Sequence, residues 1–113
     1  MKMVHAVIRP ELLEEVKRSL EKEGFFGLTV YDVRGRGRQD SFSWKVRGNV
    51  YKIDLLPKLK IEIVVEDDQA GRVAEIIQSA ASTGEIGDGK IFITHVEEAI
   101  RIRTGERGPE AVK

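Results

Sequence analysis

Two segments with a helical apolar period interrupt four short strand-like runs, and the order of the six leaves few folds open. Met3 to Arg9 is an apolar run ended by Pro10, which reads as a buried strand. Glu11 to Glu23 reads as a helix with Leu12, Leu13, Val16 and Leu20 as its stripe. Pro10 is tolerated in the first turn, Glu11 suits the positive end of the helix dipole, and Gly24 supplies a stop. Glu14 and Arg18 are spaced as an i,i+4 ion pair on the wet side. Leu28 to Arg34 is rich in β-branched and aromatic residues and reads as a second strand. Lys58 to Val65 is the clearest strand, with Leu59, Ile61, Ile63 and Val65 on one face. Asp67 or Asp68 caps a second helix with Ala70, Val73, Ala74, Ile77, Ala80 and Ala81 as apolar positions and Gly84 at its end. Ile91 to Val96 is a fourth strand.

Strand, helix, strand, strand, helix, strand is the α+β, ferredoxin-like βαββαβ sandwich: two βα units whose helices share one face of an antiparallel sheet. A single domain over residues 1–113 is expected. The other face needs a cover, and apolar residues on both sides of the first and third strands point to an oligomer. Hydrophobic residues make up 41% of the chain, enough for a core. The 19 basic and 19 acidic residues cancel, which argues against a general nucleic-acid binder but not against a local basic pocket. With no cysteine there is no disulfide, thiolate nucleophile or cysteine-held zinc, and His5 and His95 alone lack enough metal ligands. No apolar run approaches the roughly 20 residues of a membrane span. The chain opens on strand-like sequence and not on a signal peptide, so a cytoplasmic location is expected.

Chemistry concentrates in Gly84-Glu85-Ile86-Gly87-Asp88-Gly89-Lys90. Three glycines free the backbone to curl with N–H groups facing inward, a shape that binds anions, and Lys90 adds a mobile charge. Arg101 and Arg103 lie two apart, so an extended chain points both guanidinium groups to one face. Together these groups suit the phosphates of a nucleotide. Gly37 to Leu56 is a long stretch without regular period, carrying Phe42, Trp44, Val46, Val50 and Tyr51 among charges, which reads as a partner-binding device. Neither histidine joins a nucleophile or acid–base constellation, so an enzyme is not expected, although weak ATP hydrolysis is compatible with such a site.

Four blocks, in order and spacing, carry a resemblance to the PII signal-transduction proteins, the GlnB/GlnK family. They are Gly37-Arg38-Gln39, Asp54-x-x-Pro57-Lys58-x-Lys60-Ile61-Glu62, Thr83 to Phe92, and Ile100-Arg101-Ile102-Arg103-Thr104-Gly105. The resemblance covers nearly the whole chain without gaps. It implies a homotrimer that senses nitrogen, carbon and energy status. ATP or ADP would bind in clefts between subunits, with 2-oxoglutarate joining Mg²⁺ and ATP. A long T-loop (about 37–56) would dock on an ammonium channel or on an enzyme or regulator of nitrogen metabolism. Membrane association would be peripheral and only through such a channel, and nucleic acid would not be bound directly. A B-loop (about 82–90) and a C-loop (about 102–109) complete the organisation.

By the same resemblance, Thr29 and Val64 would face the adenine and Glu62 the ribose end, while Gly87, Asp88, Gly89 and Lys90 cradle phosphates with Gly37 and Arg38. Arg101 and Arg103 would come from the adjacent subunit. Gly37, Gln39, Ser41 and Lys58 would hold 2-oxoglutarate, with Gln39 on Mg²⁺ and Lys58 on a carboxylate. Tyr51 stands where some relatives are uridylylated, and Trp44, Arg47 and Tyr51 would touch the partner. The roles fit the residues: a desolvated polyphosphate needs several cations, and an amide oxygen suits Mg²⁺. The chain departs from the family's usual Lys-Gly after Gln39, having Asp40-Ser41. The acid sits beside a site for a dianion and the serine restricts the backbone, so an adenine-nucleotide sensor with little 2-oxoglutarate response is the alternative. A small phosphotransferase on the same fold would need His95 in the phosphate pocket. An RNA-recognition module would need stacking aromatics on two central strands.

Overall fold

The computed structural model describes residues 1–37 and 42–113, without the side chains of 42, 44 and 51–53. β1 (Lys2–Ile8) is a central strand, paired antiparallel with β5 (Leu56–Val65) on one side and β6 (Lys90–His95) on the other. β2 (Thr29–Gly35) lies beyond β5, giving the order β2-β5-β1-β6. α1 (Leu13–Glu21) and α2 (Ala70–Ala81) cover one face. This is the expected βαββαβ sandwich. Alternation along β1 explains the core. Val4, Ala6 and Ile8 are at most 1% exposed and pack with Ile61, Ile63 and Val65 beneath Val16, Leu20, Val73 and Ile77.

Both helices begin as a 3₁₀ turn, at Pro10–Leu12 and at Asp67–Gln69. α1 ends in a Schellman motif: Phe25 N donates to Leu20 O and Gly24 N to Glu21 O, with Gly24 at φ +87°. Arg18 pairs with Glu15 at 2.7 Å, and Lys17 takes Glu14 at 3.3 Å, so the expected Glu14–Arg18 pair gives way to two i,i+3 pairs. The second helix caps on Glu66, one residue before the expected aspartates, with Glu66 N donating to Gln69 Oε1 at 3.2 Å. Asp67 faces the Met1 ammonium at 2.8 Å instead. Ile76, outside the expected stripe, is buried with Ile77. Arg72 reaches across to Glu23 with two bonds of 2.7 and 2.6 Å, clamping the end of the first helical segment to α2.

The open sheet face is mixed: the apolar residues expected there on the first and third strands are Met3, Val7 and Val64, interleaved with charged ones. By alternation, β5 presents Lys58, Lys60, Glu62 and Val64 there, and β1 presents Met3, His5 and Val7. The Lys60 ammonium lies 5.8 Å from the Tyr31 ring centroid on this face.

The stretch expected to lack regular structure contains a two-stranded ribbon, β3 (Phe42–Val46) and β4 (Asn49–Ile53). Its two-residue turn, Arg47 and Gly48, has positive φ at both positions (52° and 82°), as a type I′ hairpin requires. Among the described residues, no helix is long and apolar enough to cross a membrane.

Truncating Ile77, which has no solvent exposure, to alanine opens a cavity between α2 and the sheet. The expected loss is about 2–5 kcal/mol. Urea unfolding of Ile77→Ala checks it: the midpoint falls with the slope unchanged.

Candidate functional site

The glycine-rich segment after α2 is built around one carboxylate. Asp88 accepts from Thr83 N at 2.8 Å, from Gly84 N at 2.9 Å, from the Thr83 hydroxyl, and from Arg9 Nε at 3.1 Å. The Thr83 hydroxyl and amide, with Arg9 and the Gly84 amide, hold the Asp88 carboxyl far below the usual carboxylate range. The loop then lies flat against β1. Gly89 adopts φ +101°, and a Cβ there would stand 1.7 Å from Val7 O, so only glycine fits. Gly87 is also left-handed, at φ +106°. Two cations touch the loop's carbonyls: Arg9 Nη2 donates to Ile86 O at 2.9 Å and Lys58 Nζ to Gly87 O at 2.6 Å. Burial, then the neighbouring Arg9, depress the Lys58 pKa against the opposing pull of Glu11 and Asp88.

Beside this loop is a depression of about 640 Å³, lined by Gly37, Lys58, Gly87, Asp88, Gly89 and Lys90 with Val7, Gly35, Arg36, Leu56, Glu85, Ile86 and Phe92. Six of the sequence-derived positions therefore meet there. The Asp88 side chain is turned into the loop, so what that residue offers a ligand is its backbone. Thr29, Glu62 and Val64 meet elsewhere, in a depression of about 300 Å³ shared with Met3, Gly27, Leu28, Ala111 and Val112. Lys58 and Glu62 are four residues apart on one strand, about 13 Å.

Arg101 and Arg103 do not lie on an extended chain, which corrects the expectation that alternation aims both to one face. Residues 102–104 form a turn closed by Gly105 N donating to Arg101 O at 2.7 Å. The Arg101 guanidinium meets Glu106 at 2.7 Å, Glu110 O at 3.0 Å and Lys113 O at 2.9 Å, so it ties down the C-terminal segment. Thr104 donates to Glu106 and, with Arg101, lowers that carboxyl's pKa. Arg103 is exposed in the turn. Arg38, Gln39 and Ser41 lie outside the described residues. Trp44 and Tyr51 are directly opposite in the β3–β4 register, and Arg47 is at the exposed tip.

His5 is better connected than expected. Its Nδ1 is 2.9 Å from Glu62 Oε2 and its Nε2 is 2.8 Å from Thr94 Oγ1. These are two side-chain contacts from one histidine to its neighbouring strands. They use both ring nitrogens and tie β6, β1 and β5 together across the open face. His95 stands five residues along β6 from Lys90, about 17 Å away, far from the loop where a phosphohistidine would be needed. Aromatics on the open face belong to the edge strands, as Tyr31 and Phe92, which does not match an RNA-stacking platform.

Sequence reasoning missed Arg9, Thr83 and Arg36. Arg9 is 15% exposed at the end of β1, and its only sequence signal is a basic residue before Pro10. Thr83 carries a hydroxyl five residues before Asp88. Arg36 lines the larger depression, with Nη1 3.3 Å from Asp54 Oδ2.

Comparison with known proteins adds a consistent picture. Residues 1–106 match the family model described as nitrogen regulatory protein P-II. The chain is 59% identical over 112 residues to nitrogen regulatory protein P-II 2 of Methanothermobacter thermautotrophicus, covering 99% of this chain and 97% of that one. It is 55% identical to the nitrogen regulatory protein P-II of Microchaete diplosiphon and 52% identical to that of Azospirillum brasilense, each over 99% of this chain and all of the relative.

Two outcomes test the loop's construction. Gly89→Ala forces a left-handed alanine against Val7 O, and its thermal midpoint falls well below that of Gly37→Ala, where the added methyl meets nothing within 4 Å. Because Asp88 titrates lower in the fold than the unfolded value of about 3.9, its contribution is complete above that pH and drains as pH falls below about 4. Unfolding free energy measured from about pH 5 to 2 is therefore flatter in Asp88→Asn than in the parent.

Proposed function

The chain belongs to the nitrogen regulatory protein P-II family, and we propose that it is a cytoplasmic homotrimeric sensor of adenine nucleotides and 2-oxoglutarate. One observation carries this reading. The candidate nucleotide residues divide into two groups on one chain, the glycine loop with Lys58 and the Thr29–Glu62–Val64 pocket. A nucleotide gripped by both groups is best explained by a cleft to which two copies each contribute one. The phosphates lie on Gly87, Asp88, Gly89 and Lys90 with Gly37 and Arg38, and adenosine lies against the neighbour's Thr29, Glu62 and Val64. Arg101 and Arg103 of the neighbour complete the charge balance.

In this reading Mg²⁺ is shared between ATP, the Gln39 amide oxygen and 2-oxoglutarate, and Lys58 takes a carboxylate of the acid. Gly37 and Ser41 supply the surrounding backbone. Ligand at the ribbon's root shifts the population of T-loop conformations, and the loop selects its partner, an ammonium channel or a nitrogen-metabolism enzyme or regulator. Switching that partner from mostly free to mostly bound takes about 3–5 kcal/mol of differential binding. Tyr51 acts as a contact with Trp44 and Arg47, and is the position open to uridylylation. Asp40-Ser41 favours a second reading, a sensor of ATP and ADP alone, because a carboxylate beside the site repels a dianion.

Calorimetry decides between them. With Mg²⁺ present, ATP and ADP each bind, and 2-oxoglutarate gives heat only after ATP. Heat from ATP with none from 2-oxoglutarate selects the second reading. Sedimentation at the same time returns three subunits. A chain that takes up 2-oxoglutarate without nucleotide, or no nucleotide at all, sinks the mechanism.

A further inference from the structure

The anion loop is gripped from two sides by cations that contact its own oxygens. We propose that Arg9 is a positioning residue for polyphosphate: it aims the loop's N–H donors while its own guanidinium stays off the ligand. That guanidinium forks, giving Nη2 to Ile86 O at 2.9 Å and Nε to Asp88 Oδ1 at 3.1 Å. Its side chain is only 15% exposed, so the group is committed to the loop. From the other side, Lys58 Nζ holds Gly87 O at 2.6 Å.

The geometry of a peptide unit turns these contacts into direction. In a planar trans unit the C=O and N–H point opposite ways. Holding Ile86 O toward Arg9 turns the Gly87 N–H away from Arg9. Holding Gly87 O toward Lys58 turns the Asp88 N–H away from Lys58. Gly87 sits at φ +106° and has no Cβ to restrain either unit. Without an external tie these peptide planes rotate, and ordering them is charged against ligand binding. Arg9 moves that ordering into folding. Asp88 balances its charge, so its contribution is geometric and not a surplus of positive field.

The inference rests on the reading above only for the identity of the ligand as a nucleotide. It is tested with the full chain and the variants Arg9→Ala and Arg9→Lys, each shown folded by its thermal midpoint. Lysine keeps the charge but cannot fork in one plane to two acceptors. Adenosine, AMP, ADP and ATP are titrated by calorimetry. Affinity climbs with phosphate number in the parent. In both variants ATP and ADP bind about tenfold more weakly, while adenosine binds as in the parent. Arg9→Lys with parental ATP affinity overturns the proposal in favour of bulk charge. Equal losses for adenosine and ATP overturn it in favour of general destabilisation. If Arg9→Ala does not fold, Arg9→Lys alone decides. In parallel, inorganic pyrophosphate is titrated against the Gly87 and Asp88 amide resonances. They shift in the parent and not in Arg9→Lys. A parent that ignores ATP yet shows this pattern removes the nucleotide reading and keeps Arg9 in its role. A parent whose amides do not respond to pyrophosphate removes the role itself.

Discussion

The approach of Gly89 to the carbonyl oxygen of Val7 is the contact on which the functional geometry depends. It joins the loop after α2 to the central strand of the sheet at a separation that admits no side chain. Val7 lies between Ala6 and Ile8, which are fully or almost fully buried under the helices. The loop therefore takes its position from the same strand that organises the core. Any repacking of Val4, Ala6 or Ile8 that moves β1 moves the glycine-rich loop with it. Interiors packed at crystal-like density resist such movement, so the loop is placed by rigid neighbours.

Charge is allotted with the same economy. Around the larger depression, Asp88 is consumed inside the loop and Asp54 faces Arg36. On the C-terminal side, Glu106 answers Arg101. Lys90, by contrast, has no ion-pair partner among the described residues, nor does Arg103. Glu85, in the same lining, has no ion-pair partner among the described residues either, so Asp88 and Asp54 are the acids that shape the backbone there.

Much of the scaffold was legible because burial imposes a period. Val4, Ala6 and Ile8, or Leu59, Ile61, Ile63 and Val65, could be read off as faces, and the helices followed from their stripes. What escaped detection had weaker signals. The β3–β4 ribbon does alternate, with Phe42, Trp44 and Val46 separated by Ser43 and Lys45, and Tyr51 and Ile53 by Lys52, but each run is only five residues long and the turn between them is Arg-Gly where Asn-Gly is the stronger signal. The segment from Arg101 looked extended because its charges alternate. A turn wins there, since Glu106 offers a bonded partner to Arg101 at both backbone and side chain. The helix cap moved to Glu66 because Asp67 had another partner. Of the site, the glycine loop was visible as composition. Arg9, Thr83 and the division into two pockets were not, because each depends on which strands lie side by side.

The ribbon's tip carries one last implication. Arg47 is a non-glycine residue held at φ 52°, a conformation that costs a branched or bulky side chain roughly 1–2 kcal/mol. The type I′ turn between β3 and β4 sets it, and the exposed Arg47 stands at the far end of the two-stranded ribbon. An isolated pair of strands is marginal by itself, so a surface that meets this apex supplies part of the order the ribbon needs.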